Sequence, residues 1–277
     1  MKFDMHCHTK EGSLDGKVPI AEFISCLKEK GFQGMLVTDH DSYKGYRSWK
    51  RLHGDGDEDG FIVLKGVEYD TIDAGHILVI MPEGVKLKIL ELRGLPVQFL
   101  IEVVHKNGGI LGPAHPCGER YLSITNTRKH RNRLAVMDKF DFLEGFNACE
   151  SPESNVTAME IAARFEKPVF GGSDAHREDC VGYAYTEFEG EIACESDLIR
   201  LVKEKGREAC TCGGRYYMGT TKEKMGSLNN VLVQSFWFYN HVASMMRARK
   251  RRRELGKLYI RVNMCQEALS CTQKSAK

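Results

Sequence analysis

Apolar residues in this chain fall into short runs, separated by stretches in which they recur every three or four positions. The runs at 34–38, 61–64, 75–80, 109–114, 140–147, 168–172 and 181–188 are too short for helices and read as strands. Between them, 18–30 places Ile20, Phe23, Ile24 and Leu27 on one helical face, with Pro19 in the first turn and Gly31 at the end. Helices are likewise expected over 43–52, 97–105, 156–165 and 195–205, the last stopped by Gly206. Residues 54–60 have a superficial likeness to a calcium loop but lack its terminal glutamate, and they read as a turn. The alternation of strands and helices predicts an α/β fold with a mainly parallel sheet, doubly wound or closed as a barrel.

The opening segment Asp4-Met5-His6-Cys7-His8 is extended. Side chains alternate along a strand, so His6 and His8 point to one side and Cys7 to the other. Their backbones are then roughly 6–7 Å apart, close enough for two imidazoles to share one metal ion. Asp15 comes soon after. The polar ends of the later apolar runs repeat this kind of residue: Asp39-His40, Glu68, His76, His115 and Asp174-x-His176. Each has an ordinary alternative, since His40 can cap a helix, His76 can face solvent and Asp174 can N-cap the next segment. Taken together, nine nitrogen and oxygen donors at one end of one sheet favour a metal site, and the face where βα loops converge carries chemistry in barrel folds. His53, His105, His130 and His241 fall on expected helices or in a basic loop and read as surface residues.

Composition adds limits. The length of 277 residues allows one large α/β domain, or a domain with a smaller appendage. The net charge of +2 is unevenly placed, with 12 Lys and Arg against 3 Asp and Glu from Tyr216 onward, leaving 28 against 35 in the first 215 residues. An acidic body suits divalent cations and a basic tail suits anions. The 10 cysteines are scattered with no CxxC pair, and no signal-peptide pattern opens the chain, so reduced thiols and a cytoplasmic location are expected.

His6-Cys7-His8, Asp15-Gly16, Thr38-Asp39-His40-Asp41, Gly66-Val67-Glu68, Gly75-His76-Ile77-Leu78, Ala114-His115-Pro116 and Gly172-Ser173-Asp174-Ala175-His176 together resemble the ordered motifs of the polymerase and histidinol phosphatase (PHP) domain family. The resemblance covers about the first 190 residues and is nearest to the small metal-dependent phosphoesterase branch. It implies a distorted seven-stranded (β/α) barrel holding two or three divalent ions, Zn, Mn or Fe. It further implies that His6, His8, Glu68 and Asp174 hold one metal. Glu68 would bridge to a second held by His76 and His115, and Asp15, His40 and His176 would hold a third. Branches differ at position 15, where some carry His. Glu68, Asp174 and His176 carry the catalytic work in this reading. The implied activity is hydrolysis of a phosphate ester of a small metabolite or nucleotide by a metal-activated hydroxide. A nuclease acting on nucleic-acid ends and a non-catalytic metal-binding module are the alternatives.

A substrate phosphate needs cations beyond the metals. Arg120, Arg128 and Arg131, in a basic insertion over residues 117–137, are candidates, with Arg47 and Arg177 as rivals. Glu144 and Asn147 end a strand and line the pocket or pack behind it. Residues 1–215 are expected to form the barrel domain and 216–277 an extension. There Leu228, Leu232, Phe236, Tyr239, Val242 and Met246 predict an amphipathic helix over 227–254 with a basic end. Its partner is the barrel, a second copy, or nucleic acid. Asn229, Asn230, Gln234, Asn240 and His241 argue against a membrane span, and the oligomeric state is left open.

Overall fold

The computed structural model describes residues 1–54, 60–118, 122–126 and 134–217. Arg120, Arg128, Arg131 and the helix expected over 227–254 lie outside the described residues. The strands are β1 (Lys2–Cys7), β2 (Gly34–Val37), β3 (Ile62–Asp70), β4 (His76–Ile80), β5 (Ile110–Pro113), β6 (Leu143–Asn147), β7 (Val169–Gly172), β8 (Ala184–Phe188) and β9 (Cys210–Gly214). The helices are α1 (Ile20–Glu29), α2 (Lys44–His53), α3 (Val97–Lys106), the single turn α4 (Leu134–Met137), α5 (Pro152–Arg164) and α6 (Glu195–Lys205).

One sheet runs β5-β4-β3-β2-β1-β8-β9, and β6 pairs with β7 in parallel. Main-chain bonds bring the two sheets together. Asp141 N–H donates to Leu111 O at 2.9 Å, joining β6 to β5, and Asp174 N–H donates to His6 O at 2.9 Å, joining β7 to β1. Strands β1 to β7 therefore succeed one another round a distorted seven-stranded barrel, and β8 and β9 attach to the start of β1. The sheet is mixed, which corrects the expectation of a mainly parallel one: β4 runs antiparallel to both β3 and β5, and β8 to both β1 and β9. Five residues separate β3 from β4. A parallel crossover needs a dozen or more, so this connection has to be a hairpin.

The barrel interior has two levels. Phe3, Met5, Leu36, Leu64, Leu78, Ile80, Ile110, Phe142 and Phe170 form one buried cluster at the lower level, with Leu198, Ile199 and Val202 of α6 added to it. Phe142 and Phe170 stack at 4.1 Å. Burying such side chains contributes about 1.5–3 kcal/mol each. The period of two then carries the same inward face upward: Leu64 leads to Glu68, Phe142 to Glu144, and Phe170 to Asp174. On antiparallel β4 the order reverses, so His76 precedes Leu78. A register break between Asp4 and Cys7 resets the alternation on β1. Cys7 turns outward to pack with Phe23 and Val37, while His6 and His8 stay inward.

The outer layer is helical. α1 buries Ile20, Phe23, Ile24 and Leu27, with Pro19 just before its first residue and Glu11 accepting the Ile20 N–H at 3.1 Å. α5 begins at Pro152, earlier than the apolar pattern predicts, because Ser151 caps it by accepting from Ser154 N–H at 3.2 Å. β9 has no sequence expectation behind it, since Cys-Thr-Cys-Gly-Gly carries no apolar alternation. The eight cysteines among the described residues are free thiols. No helix of the described residues is long and apolar enough to cross a membrane.

Candidate metal centre

At the top of the barrel four donor atoms converge. His6 Nε2 lies 3.0 Å from His8 Nε2 and 3.5 Å from both Glu68 Oε2 and Asp174 Oδ1. His8 Nε2 lies 3.3 Å from Glu68 Oε2 and 3.2 Å from Asp174 Oδ1. A tetrahedral ion with bonds of about 2.0–2.1 Å keeps its donors roughly 3.3 Å apart. The neighbouring ring nitrogens make a second point. His6 Nδ1 is 2.8 Å from Glu144 Oε1, which fixes a hydrogen on that nitrogen and turns Nε2 toward His8. Two ring nitrogens 3.0 Å apart repel unless a proton or cation lies between them. The donor set and its spacing fit a divalent metal.

Glu68 divides its carboxylate. Oε2 faces His6 and His8 and lies 3.0 Å from His40 Nδ1, while Oε1 meets His76 Nδ1 at 2.9 Å and His115 Nε2 at 3.0 Å. His40 Nδ1 is buried and finds no well-directed hydrogen bond among the described residues, another atom suited to a cation. Asp15 Oδ2 stands 3.4 Å from His40 Nε2 and 3.3 Å from His176 Nε2. Burial grades across these groups: His6 and His8 are fully buried, His176 is 31% exposed and Asp15 55%. The Asp15–His176 side is the mouth.

Electrostatics arise from the packing. Burial alone raises the Glu68 and Asp174 carboxyls, yet the imidazoles around them hold both well below the usual carboxylate range. Burial lowers His6, but Glu144, Asp174 and Glu68 raise it well above an ordinary imidazole. His8 is lowered, by burial and then by His176 and His40. Backbone conformation is part of the construction. His115 at φ 28°, Asp41 at φ 46° and Asp174 at φ 51° are non-glycine residues in the left-handed region. Each costs about 1–3 kcal/mol, which the surrounding bonds offset.

All nine predicted donor residues meet here. The two candidate arginines among the described residues do not. Arg177 is exposed with Nε 3.5 Å from Asp179, and Arg47 pairs with Glu91 at 2.7 Å. Sequence reasoning missed Arg93, whose Nε meets Asp41 at 2.8 Å and Asp70 at 3.1 Å beside β3. It also missed the support behind His8, where Ser13 Oγ lies 3.2 Å from both His8 Nδ1 and Asp39 Oδ1, and Asp39 accepts from Thr9 and Gly45 N–H. Asp39 closes the 34–38 apolar run and was expected among the polar residues there, but its role behind His8 rather than on the cluster was not.

A family model described as the PHP domain matches residues 4–167, and one described as PHP-associated matches 152–205. The PolC-type DNA polymerase III of Lacticaseibacillus paracasei is 30% identical over 74 residues, 27% of this chain and 5% of the polymerase. The chain therefore spans only a small part of that relative. Two solved structures share the fold. The lesion-specific endonuclease EndoQ from Pyrococcus furiosus superposes with a TM-score of 0.56 at 22% identity, covering 74% of this chain and 56% of that one. A two-domain protein from Bacteroides vulgatus, described as containing a predicted PHP-like metal-dependent phosphoesterase, gives 0.55 at 17% identity, covering 78% and 65%.

Proposed function

This chain belongs to the PHP domain family, and on that premise we propose that it is a metal-dependent phosphoesterase that hydrolyses a phosphate ester of a small metabolite or nucleotide. The observation that carries the proposal is the convergence of His6, His8, Glu68 and Asp174 donors within 3.0–3.5 Å, with His40, His76, His115, Asp15 and His176 around them. His6, His8, Glu68 and Asp174 would hold one ion. Glu68 Oε1, His76 and His115 would hold a second, and Asp15, His40 and His176 a third. Divalent ions of this kind lower the pKa of water toward about 7 and offset charge on phosphoryl oxygens.

The chain's own residues do the rest. Asp174 O accepts from His176 Nδ1 at 2.9 Å, which turns the ring's Nε2 to Asp15 and the mouth, where substrate enters. Glu68 and Asp174 stay ionised and keep the dense imidazole cluster compatible with burial. Neither Cys7 nor Ser173 supports a protein nucleophile: the Cys7 thiol is buried and pushed well above its ordinary range by burial and then Asp4, and Ser173 Oγ is buried beside the Asp4 carboxyl with no imidazole among the described residues to activate it. Hydrolysis by an activated water needs neither.

A nuclease is the second reading, favoured by the fold shared with EndoQ and by the basic charge beyond residue 215. The test is manganese-reconstituted protein assayed against phosphomonoesters, phosphodiesters and oligonucleotides. Monoester turnover supports the first reading. Oligonucleotide cleavage lost on deletion from Arg247 onward supports the second, and a metal-loaded protein inert to the whole panel leaves a metal-binding module.

A further inference from the structure

Behind the donor cluster lies a carboxylate that faces none of the open site. Glu144, on β6, is 1% exposed, and its two oxygens serve different elements. Oε1 accepts from His6 Nδ1 at 2.8 Å, and Oε2 accepts from the backbone N–H of His115 at 2.5 Å. Asn147, one pleat further along β6, donates through Nδ2 to Glu144 Oε2 and to Asp174 Oδ2, both at 3.2 Å. Asn147 is itself fixed. Its N–H donates to Asn155 Oδ1 at 3.0 Å, and its carbonyl accepts from Asn155 Nδ2 at 2.9 Å, tying the end of β6 to α5.

We propose that Glu144 is a positioning residue that couples two metal sites, so that both are filled or weakened together. The proposal rests on the metal-centre reading above. His6 belongs to the first group of donors and His115 to the second, and one carboxylate sets the geometry of both. For His6 it fixes which ring nitrogen carries the hydrogen, so the other faces the cluster. For His115 it holds a left-handed backbone, at φ 28°, that turns the ring toward Glu68 Oε1. Both partners are donors, and so is Asn147. A glutamine at 144 has one accepting oxygen and one NH₂, so at least one of His6 and His115 must then face a donor.

The test compares full-length wild type with Glu144→Gln, each stripped of metal and titrated with Co²⁺ against a competing chelator while its visible absorption is monitored. Wild type is expected to bind in two tight steps. The variant is expected to weaken both by about 10–100-fold, as loss of an outer partner to a metal ligand does, and to change the Co²⁺ spectrum. Weakening of one step alone, or of neither, overturns the coupling. Wild type that takes up no Co²⁺ overturns the metal-centre reading itself, before any variant is made. A second measurement covers a variant that does not fold. In Zn²⁺-loaded wild type, His6, assigned by its loss in His6→Gln, is expected to show an Nδ1–H protected from solvent exchange. A ring hydrogen exchanging as fast as an exposed histidine's overturns the role of Glu144.

Discussion

At the scale of single residues, the site depends on which atom of each side chain points where. Asp174 offers Oδ1 to His6 and His8 and keeps Oδ2 on Asn147. An amide at 174 satisfies Asn147 with its oxygen, which turns its NH₂ toward two imidazole nitrogens. Asp174→Asn is therefore expected to lower turnover by at least about 100-fold, with thermal unfolding shifted by only a few degrees. Unchanged turnover refutes a ligand role. Most of the nine residues of the cluster were legible because polar residues at the ends of apolar runs are conspicuous, while Asp15 came only with its nearness to His8 and the motif resemblance. Ser13 and Arg93 were not legible in this way. A serine in a Gly-Ser-Leu-Asp loop looks like any turn residue, and Arg93 acquires its partners on β3 and after β2 only through tertiary contact.

At the scale of elements, close approach between β1 and β7 decides whether the first ligand group assembles. A Cβ on Gly172 would lie 2.2 Å from His6 Cβ and 2.6 Å from its backbone N, so the two strands meet where no side chain fits. Gly172→Ala is expected to cost about 1–3 kcal/mol by overpacking, read from denaturant unfolding of the metal-free protein. It is also expected to weaken metal uptake, because His6 must move. A variant with wild-type stability and wild-type metal affinity would show that the strands have room to shift. The sequence patterns placed the strands of the ring to within a few residues, except that β3 runs on to Asp70, six residues past the expected run. Strand direction was less accessible, because apolar runs buried on both faces look alike in either direction. Only the short link between Asp70 and His76 carries a directional signal.

At the scale of the whole molecule, the cluster sets a pH dependence with opposite signs for the two metal states. His6, His40, His115 and His176 are raised above 6.5, each lowered by burial but lifted further by nearby carboxylates. Their contribution to stability is complete below pH 6.5 and is lost as pH rises through the raised values. Glu68 and Asp174 are depressed, so their contribution is complete above their ordinary values near 4.5 and 3.8 and is lost on acidification. The metal-free protein is therefore expected to melt at a lower temperature at pH 8.5 than at pH 6.5. The metal-loaded protein is expected to gain over the same interval, because metal must displace protons from the imidazoles. Parallel slopes with and without chelator would count against the cluster as a metal centre. The ring order has a further consequence in time. His6 and His8 leave the ribosome before the rest of the cluster, and Asp174, which completes their group, comes more than 160 residues later. At about 5–20 residues per second, the two imidazoles wait on the order of ten seconds or more for their last partner. Contacts so distant in sequence form slowly. Metal uptake at this cluster would therefore report the late closure of the barrel, and a nascent chain halted before β7 is expected to leave His6 and His8 open to any divalent transition metal that passes.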